Sequence, residues 1–132
     1  MQPKTTLTIA SIIGLIFSSA MFLAPEFVTR EQFPNSEGQG FDDLVTLRYA
    51  IASLILALVI ISYHLRDITG HAFQLHVMRS YTLAFGVVCI TNLALQLTGK
   101  ISAAPPIVGT GVIAVLSFLT WRRLVSRTKE EA

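Results

Sequence analysis

The residues best equipped for chemistry in this sequence are few, and each has an ordinary reading beside its sharper one. His64, His71 and His76 are the only imidazoles, and neutral imidazole is a common ligand of metals and haem iron. Their spacing suits neither. His71 and His76 stand five apart, which is not one face of a helix, and no cysteine or carboxylate pair completes a tetrahedral set. The expectation is solvated histidines at a membrane interface, with metal or haem ligation as the alternative. Arg48 follows Asp42 and Asp43 at the start of a long apolar run, where a salt-bridged anchor is expected. Its sharper role is a grip on an anionic head group, because guanidinium makes bidentate contacts with phosphate and carboxylate. Cys89, Asn92 and Gln96 share one arc of a helix: at 100° per residue, Asn92 and Gln96 stand about 40° apart and Cys89 about 60° from Asn92. Hydrocarbon offers an amide no partner, so this arc, extended by Tyr81 and Phe85, should face other helices. It is read as interhelical hydrogen bonding or as one wall of a pocket for a quinone, sterol or lipid head group.

The elements that position these residues are set by the solvent. Of 132 residues 52% are hydrophobic and 14% charged, against about 25% charged in ordinary globular domains. Residues 44–65, LVTLRYAIASLILALVIISYHL, form an almost unbroken apolar run. About 20 such residues cross the hydrocarbon core as a helix, and lipid tolerates only helices and closed barrels as spanning structures. The runs are continuous rather than alternating, which selects helices. The expected fold class is therefore an all-α integral membrane protein, a four-transmembrane-helix bundle in one domain over 1–132. Its spans lie at about 5–24, 44–65, 75–97 and 105–123, with a tail at 124–132.

Lys4 and the uncharged run after it have the form of a signal peptide, with Ser18-Ser19-Ala20 as a cleavage site. Against cleavage, Met21-Phe22-Leu23 continues the apolar run, and Ala10, Gly14 and Ser18 recur every four residues as a ridge that admits a neighbouring helix. A retained span is the expectation. Pro25 ends it. The loop at 25–43 is acidic, carrying Glu26, Glu31, Glu37, Asp42 and Asp43 against Arg30 alone. Its Pro34-Asn35-Ser36 and Gly38-Gln39-Gly40 are turn chemistry, and a short interfacial helix is expected from Pro25 to Gln32. Gly70 breaks the chain between the second and third spans, and Gly99-Lys100 with Pro105-Pro106 separates the third from the fourth. Gly109, Gly111, Ala114 and Ser117 give the fourth span a small-residue surface for packing, and Trp121 with Arg122-Arg123 marks an interface.

Four spans put both termini on one side. Of the ten Lys and Arg residues, all but Arg30, Arg48 and Lys100 lie on that side, so the positive-inside rule places the termini in the cytoplasm of a bacterial-type inner membrane and the acidic loop outside. The net charge of +2 reflects these helix ends, and no nucleic-acid partner is implied. The single cysteine excludes a dithiol redox pair within one chain. The span centres contain no ionisable residue, whereas proton- and cation-coupled transport depends on one, so a small transporter ranks lowest.

Ala24-Pro25-Glu26 closing the first helix, an acidic loop, Leu47-Arg48 opening a second helix and a Gly-Lys turn before a Pro-led fourth resemble the DoxX-like small four-helix membrane proteins over about 12–121. Members of that group often carry an arginine near the end of the third helix and an acidic residue in the fourth. Here the first region holds Asn92 and the second has no acid, so a shared polar site does not carry over. Some DoxX-like proteins are accessory subunits of quinone-linked oxidoreductases, and the resemblance implies that role. The functional expectation from the residues is a non-catalytic accessory or structural protein acting through the lipid bilayer, another membrane subunit or a second copy of itself. The alternative is a quinone- or lipid-binding accessory of a membrane oxidoreductase. No cofactor is expected for the first reading, and quinone or haem would serve the second.

Overall fold

The computed structural model describes residues 2–102 and 104–130, the side chains of 128–130 excepted. The described chain is a series of five helices: α1 (Pro3–Leu23), α2 (Pro25–Gln32), α3 (Gly38–Leu65), α4 (His71–Leu97) and α5 (Ala104–Glu130). All but α2 are long and apolar enough to cross a membrane. Proline punctuates the first boundary twice over. A residue before proline is pushed out of the helical region, and Ala24 accordingly has φ −139° and ψ 56°. Pro25 then occupies the first turn of α2, where its missing N–H has no helical partner to lose. Glu26 in the first turn of α2 and Arg30 in its last complement the helix dipole.

The long helices exceed the apolar runs that mark them. α3 begins at Gly38 rather than near residue 44, because Phe41-Asp42-Asp43 ends the apolar run without breaking a helix; Gly38, at φ 57°, makes the turn that sets it off. α5 continues through Glu130 instead of ending near 123, since nothing in Leu124-Val125-Ser126-Arg127 breaks a helix. At the far end of α4 the chain closes in a Schellman turn, with Lys100 N–H donating to Leu95 C=O and Gly99 N–H to Gln96 C=O, each at 3.0 Å. Gly99 has φ 69°, the left-handed conformation this cap requires.

Consecutive long helices run antiparallel, so the bundle has a terminal face, holding the start of α1, the α3–α4 turn and the end of α5. The opposite loop face holds α2 and the α4–α5 loop. Around the bundle the order is α3, α1, α5, α4: α1 packs along α3, α4 along α5, and α1 joins the two pairs through α5. α3 and α4, although joined by a short turn, approach each other little. Glycine permits the close seams. A Cβ on Gly14 would come within 2.6 Å of Val59 Cγ2, and one on Gly109 within 2.5 Å of Phe17 Cε2. The α1 ridge at Gly14 thus receives α3.

All four long helices contribute to the core at the terminal face. Leu7, Met78 and Leu124 are buried there, with Leu65, Leu75, Val77, Tyr81 and Trp121 packed around them. Just inside this cluster Thr6 and Thr120 are fully buried, and their hydroxyls meet at 2.7 Å across the α1–α5 seam. Thr120 gives its proton to the Leu116 carbonyl at 2.8 Å, so it accepts from Thr6. Such a bond between helices is worth about 0.6–2 kcal/mol in a membrane.

Candidate functional site

The most unusual side chain is Arg48, on α3 near the loop face, which is only 5% exposed. α2 makes this burial possible by lying against α3 and bringing Thr29 and Phe33 over the guanidinium. Thr29, fully buried, donates its own hydroxyl proton to the Pro25 carbonyl at 2.7 Å. Its oxygen is thereby turned to accept from Arg48 Nε at 3.2 Å. The Phe33 ring stands 5.5 Å from Arg48 Cζ, and beside it Arg30 lies 4.8 Å over Phe41. Arg48 Nη2 is buried with no hydrogen-bond partner among the described residues.

This corrects the expected salt-bridged anchor. Asp42 and Asp43 are exposed, and neither forms a salt bridge with Arg48 among the described residues. The reason is helical register. They precede Arg48 by six and five residues, whereas side chains meet along a helix at spacings of three and four. The partner came instead from Thr29 on a separate helix, a residue whose only sequence signal was its position one turn after Pro25.

The arc of Cys89, Asn92 and Gln96 is divided among different partners. Cys89 faces α5, with Sγ 3.6 Å from the Ile107 carbonyl and Gly111 close beside it, so the small-residue surface of α5 does receive it. Asn92 is half-buried and donates Nδ2–H to Val88 C=O of its own helix at 2.9 Å. Gln96 is exposed, contrary to the inward orientation expected of it. Further along α4, Tyr81 bonds to Ser62 of α3 and packs against Phe85 at 5.5 Å between ring centroids. Cys89 therefore joins α4 to α5 and Tyr81 joins it to α3, at separate points.

The histidines do not converge either. His64, His71 and His76 are all exposed; His64 packs edge-on against Tyr63, and His71 borders a cavity on the terminal face. Among the described residues no three His, Cys, Asp or Glu side chains are grouped to hold a metal ion. The turn beside them carries an ion pair the sequence did not announce, Lys4 Nζ to Asp67 Oδ1 at 3.0 Å, which ties the start of α1 to the α3–α4 turn. The Lys4 hydrogen bond is the main cause holding the Asp67 carboxyl below its usual range, with Lys4 and Arg66 charges adding to it.

Fold and site together define an all-α, multi-pass membrane protein with one buried cation clamped beneath a short helix. Comparison with known protein families finds no match, and no curated protein or solved structure compared is similar to the chain.

Proposed function

We propose that this protein is a non-catalytic accessory subunit of a bacterial-type inner membrane, with both termini cytoplasmic, acting through lateral contacts with lipid or a partner subunit. The observation that carries this reading is the arrangement of α3 and α4. Each is packed along one other long helix, α3 on α1 and α4 on α5, while the two approach each other little. In its most apolar stretch α4 buries no residue and α3 only 11%. Leu54, Leu58 and Ile61 on α3 and Leu83, Val87 and Ile90 on α4 are exposed, a surface suited to apolar neighbours. Photo-crosslinking from Leu58 and Val87 in native membranes tests the reading. Adducts with lipid or a discrete protein are expected, while a catalytic turnover by the isolated, purified chain would overturn it. Orientation is read separately: cysteine placed at Glu37 should react with an impermeant thiol reagent from outside intact cells, and cysteine at Arg127 should not.

A second reading, a quinone- or lipid-binding accessory of an oxidoreductase, is favoured by one observation, the spare Nη2 of Arg48. A carbonyl, carboxylate or phosphate oxygen would satisfy it. Copurification of a quinone or lipid that is lost on Arg48→Gln, with the fold retained, would favour this reading over the first.

A further inference from the structure

The terminal face holds a cavity of about 310 Å³, within the size range of small-molecule sites. It lies where the first turns of α1 and α4 meet the last turns of α5, and its lining includes Gln2, Lys4, His71, Gln74, Arg123 and Arg127. Among the described residues its charge is one-sided. Lys4 is already committed to Asp67, but among the described residues neither Arg123 nor Arg127 enters a salt bridge. Those two arginines stand four residues apart on one helix, so their side chains share a face of α5, and like charges at that spacing repel. An anion between them removes the repulsion and gains two charge-assisted contacts. Gln74 at the cavity's rim already gives an Nε2 proton to the Ile68 carbonyl at 2.7 Å. Basic pockets between membrane helices are the sites that hold phosphate-bearing head groups.

We propose that this cavity binds a phosphate-bearing anion, the head group of an anionic phospholipid or free inorganic phosphate, between Arg123 and Arg127 with Lys4 and Gln74 at its border. The site is independent of whether the protein acts as an accessory subunit. It concerns the terminal face, and the orientation decides only which leaflet supplies the lipid.

The test uses the full chain in neutral detergent, titrated with short-chain phosphatidylglycerol, short-chain phosphatidylcholine and sodium phosphate, with bound species counted by native mass spectrometry and stability followed by thermal unfolding. Saturable binding of phosphatidylglycerol in preference to phosphatidylcholine is expected. Removing two head-group cations in Arg123→Gln with Arg127→Gln should weaken it about 30-fold. The charge-preserving Arg123→Lys with Arg127→Lys should retain most of the affinity. Arg79→Gln with Arg122→Gln, which removes equal charge outside the cavity lining, should change affinity about twofold at most. Phosphate that binds alone and displaces the lipid would mark the free anion as a ligand of the same site; phosphatidylglycerol binding that phosphate does not displace would mark the head group. Equal binding of both lipids, or equal losses in the two glutamine pairs, would overturn the proposal, because either result means diffuse surface attraction without a site.

Discussion

Removing the Thr29 hydroxyl while keeping its shape, as Thr29→Val does, should destabilise the protein through Arg48. The Nε–H of Arg48 loses its acceptor at 3.2 Å in a place already closed to water, since Thr29 is fully buried and Arg48 is 5% exposed. A hydrogen bond to a charged group contributes about 1.5–3 kcal/mol, and Nη2 is unpartnered already, so no neighbouring donor or acceptor softens the loss. About 2 kcal/mol is expected. Arg48→Met should behave differently, because it removes the buried charge along with its unpartnered Nη2. Replacing a buried charge by an apolar side chain of similar length is often neutral or stabilising. Against this stands the lost contact with Phe33 at 5.5 Å, worth about 0.5–2 kcal/mol. The single variant should therefore lie within about 1 kcal/mol of the parent by this balance of terms. In the Arg48→Met background, Thr29→Val should then cost under about 0.5 kcal/mol, leaving a coupling of roughly 1.5 kcal/mol. Equilibrium unfolding in mixed micelles, followed by helical circular dichroism, measures all four proteins. Equal cost of Thr29→Val in both backgrounds would refute the clamp, as would a loss of about 3–5 kcal/mol for Arg48→Met, the signature of breaking a paired buried charge.

The remaining expectations follow from the seams and the terminal turn. Gly14→Ala should destabilise relative to Gly86→Ala by about 1–3 kcal/mol, since the new methyl meets Val59 in the first case and nothing within 4 Å in the second; Val59→Ala should rescue the first, and thermal unfolding of the set decides it. Ser117, buried with an unpartnered hydroxyl among the described residues, should tolerate Ser117→Ala with no loss and a gain of up to about 1 kcal/mol in the same assay. Asn92→Leu with Gln96→Leu should cost under about 1 kcal/mol together, because Asn92 bonds to its own helix and Gln96 is exposed; a larger loss would mean these amides hold the bundle together. The carboxyl of Asp67 titrates lower in the folded chain than its ordinary value, so its stabilising effect is present above the unfolded value of about 3.9 and is lost as pH falls through the folded value. Melting temperatures from pH 6 down to pH 3 should show this acid loss in the parent and a smaller one in Asp67→Asn.

The long apolar helices and the short helix at Pro25–Gln32 were legible because lipid and proline each impose a rule that a single chain cannot evade. An apolar run must be helical where no water can satisfy its backbone, and Pro25 stops one helix and opens the next whatever surrounds it. The ends of α3 and α5 were less legible. They extend past the apolar runs, where Asp42, Asp43 and Arg127 look like loop or tail by hydropathy but are ordinary helix residues by propensity, none of them a breaker on the scale of Gly or Pro. The Ala10-Gly14-Ser18 ridge announced a close helix contact and could not name the partner. That choice depends on which side chains oppose it in space, and Val59 and Ile55 of α3 hold no special signature.

Arg48 shows most clearly why the site was harder to read than the fold. Its location at the head of an apolar run marked it, and the nearest opposite charges along the chain, Asp42 and Asp43, made an ion pair the economical expectation. Helical register denies that pair, and the residue that replaces it, Thr29, is neutral and nineteen positions away. Thr29 reaches Arg48 only because α2 is a helix, because Pro25 turns it at its first residue, and because the threonine one turn later spends its proton on the Pro25 carbonyl. A neutral acceptor leaves the cation uncompensated in charge, and its buried Nη2 has no partner among the described residues. An aspartate at position 29 would supply both charge and acceptor and would close the arrangement into a structural ion pair. Threonine holds the guanidinium in position through a neutral oxygen and leaves its charge unneutralised.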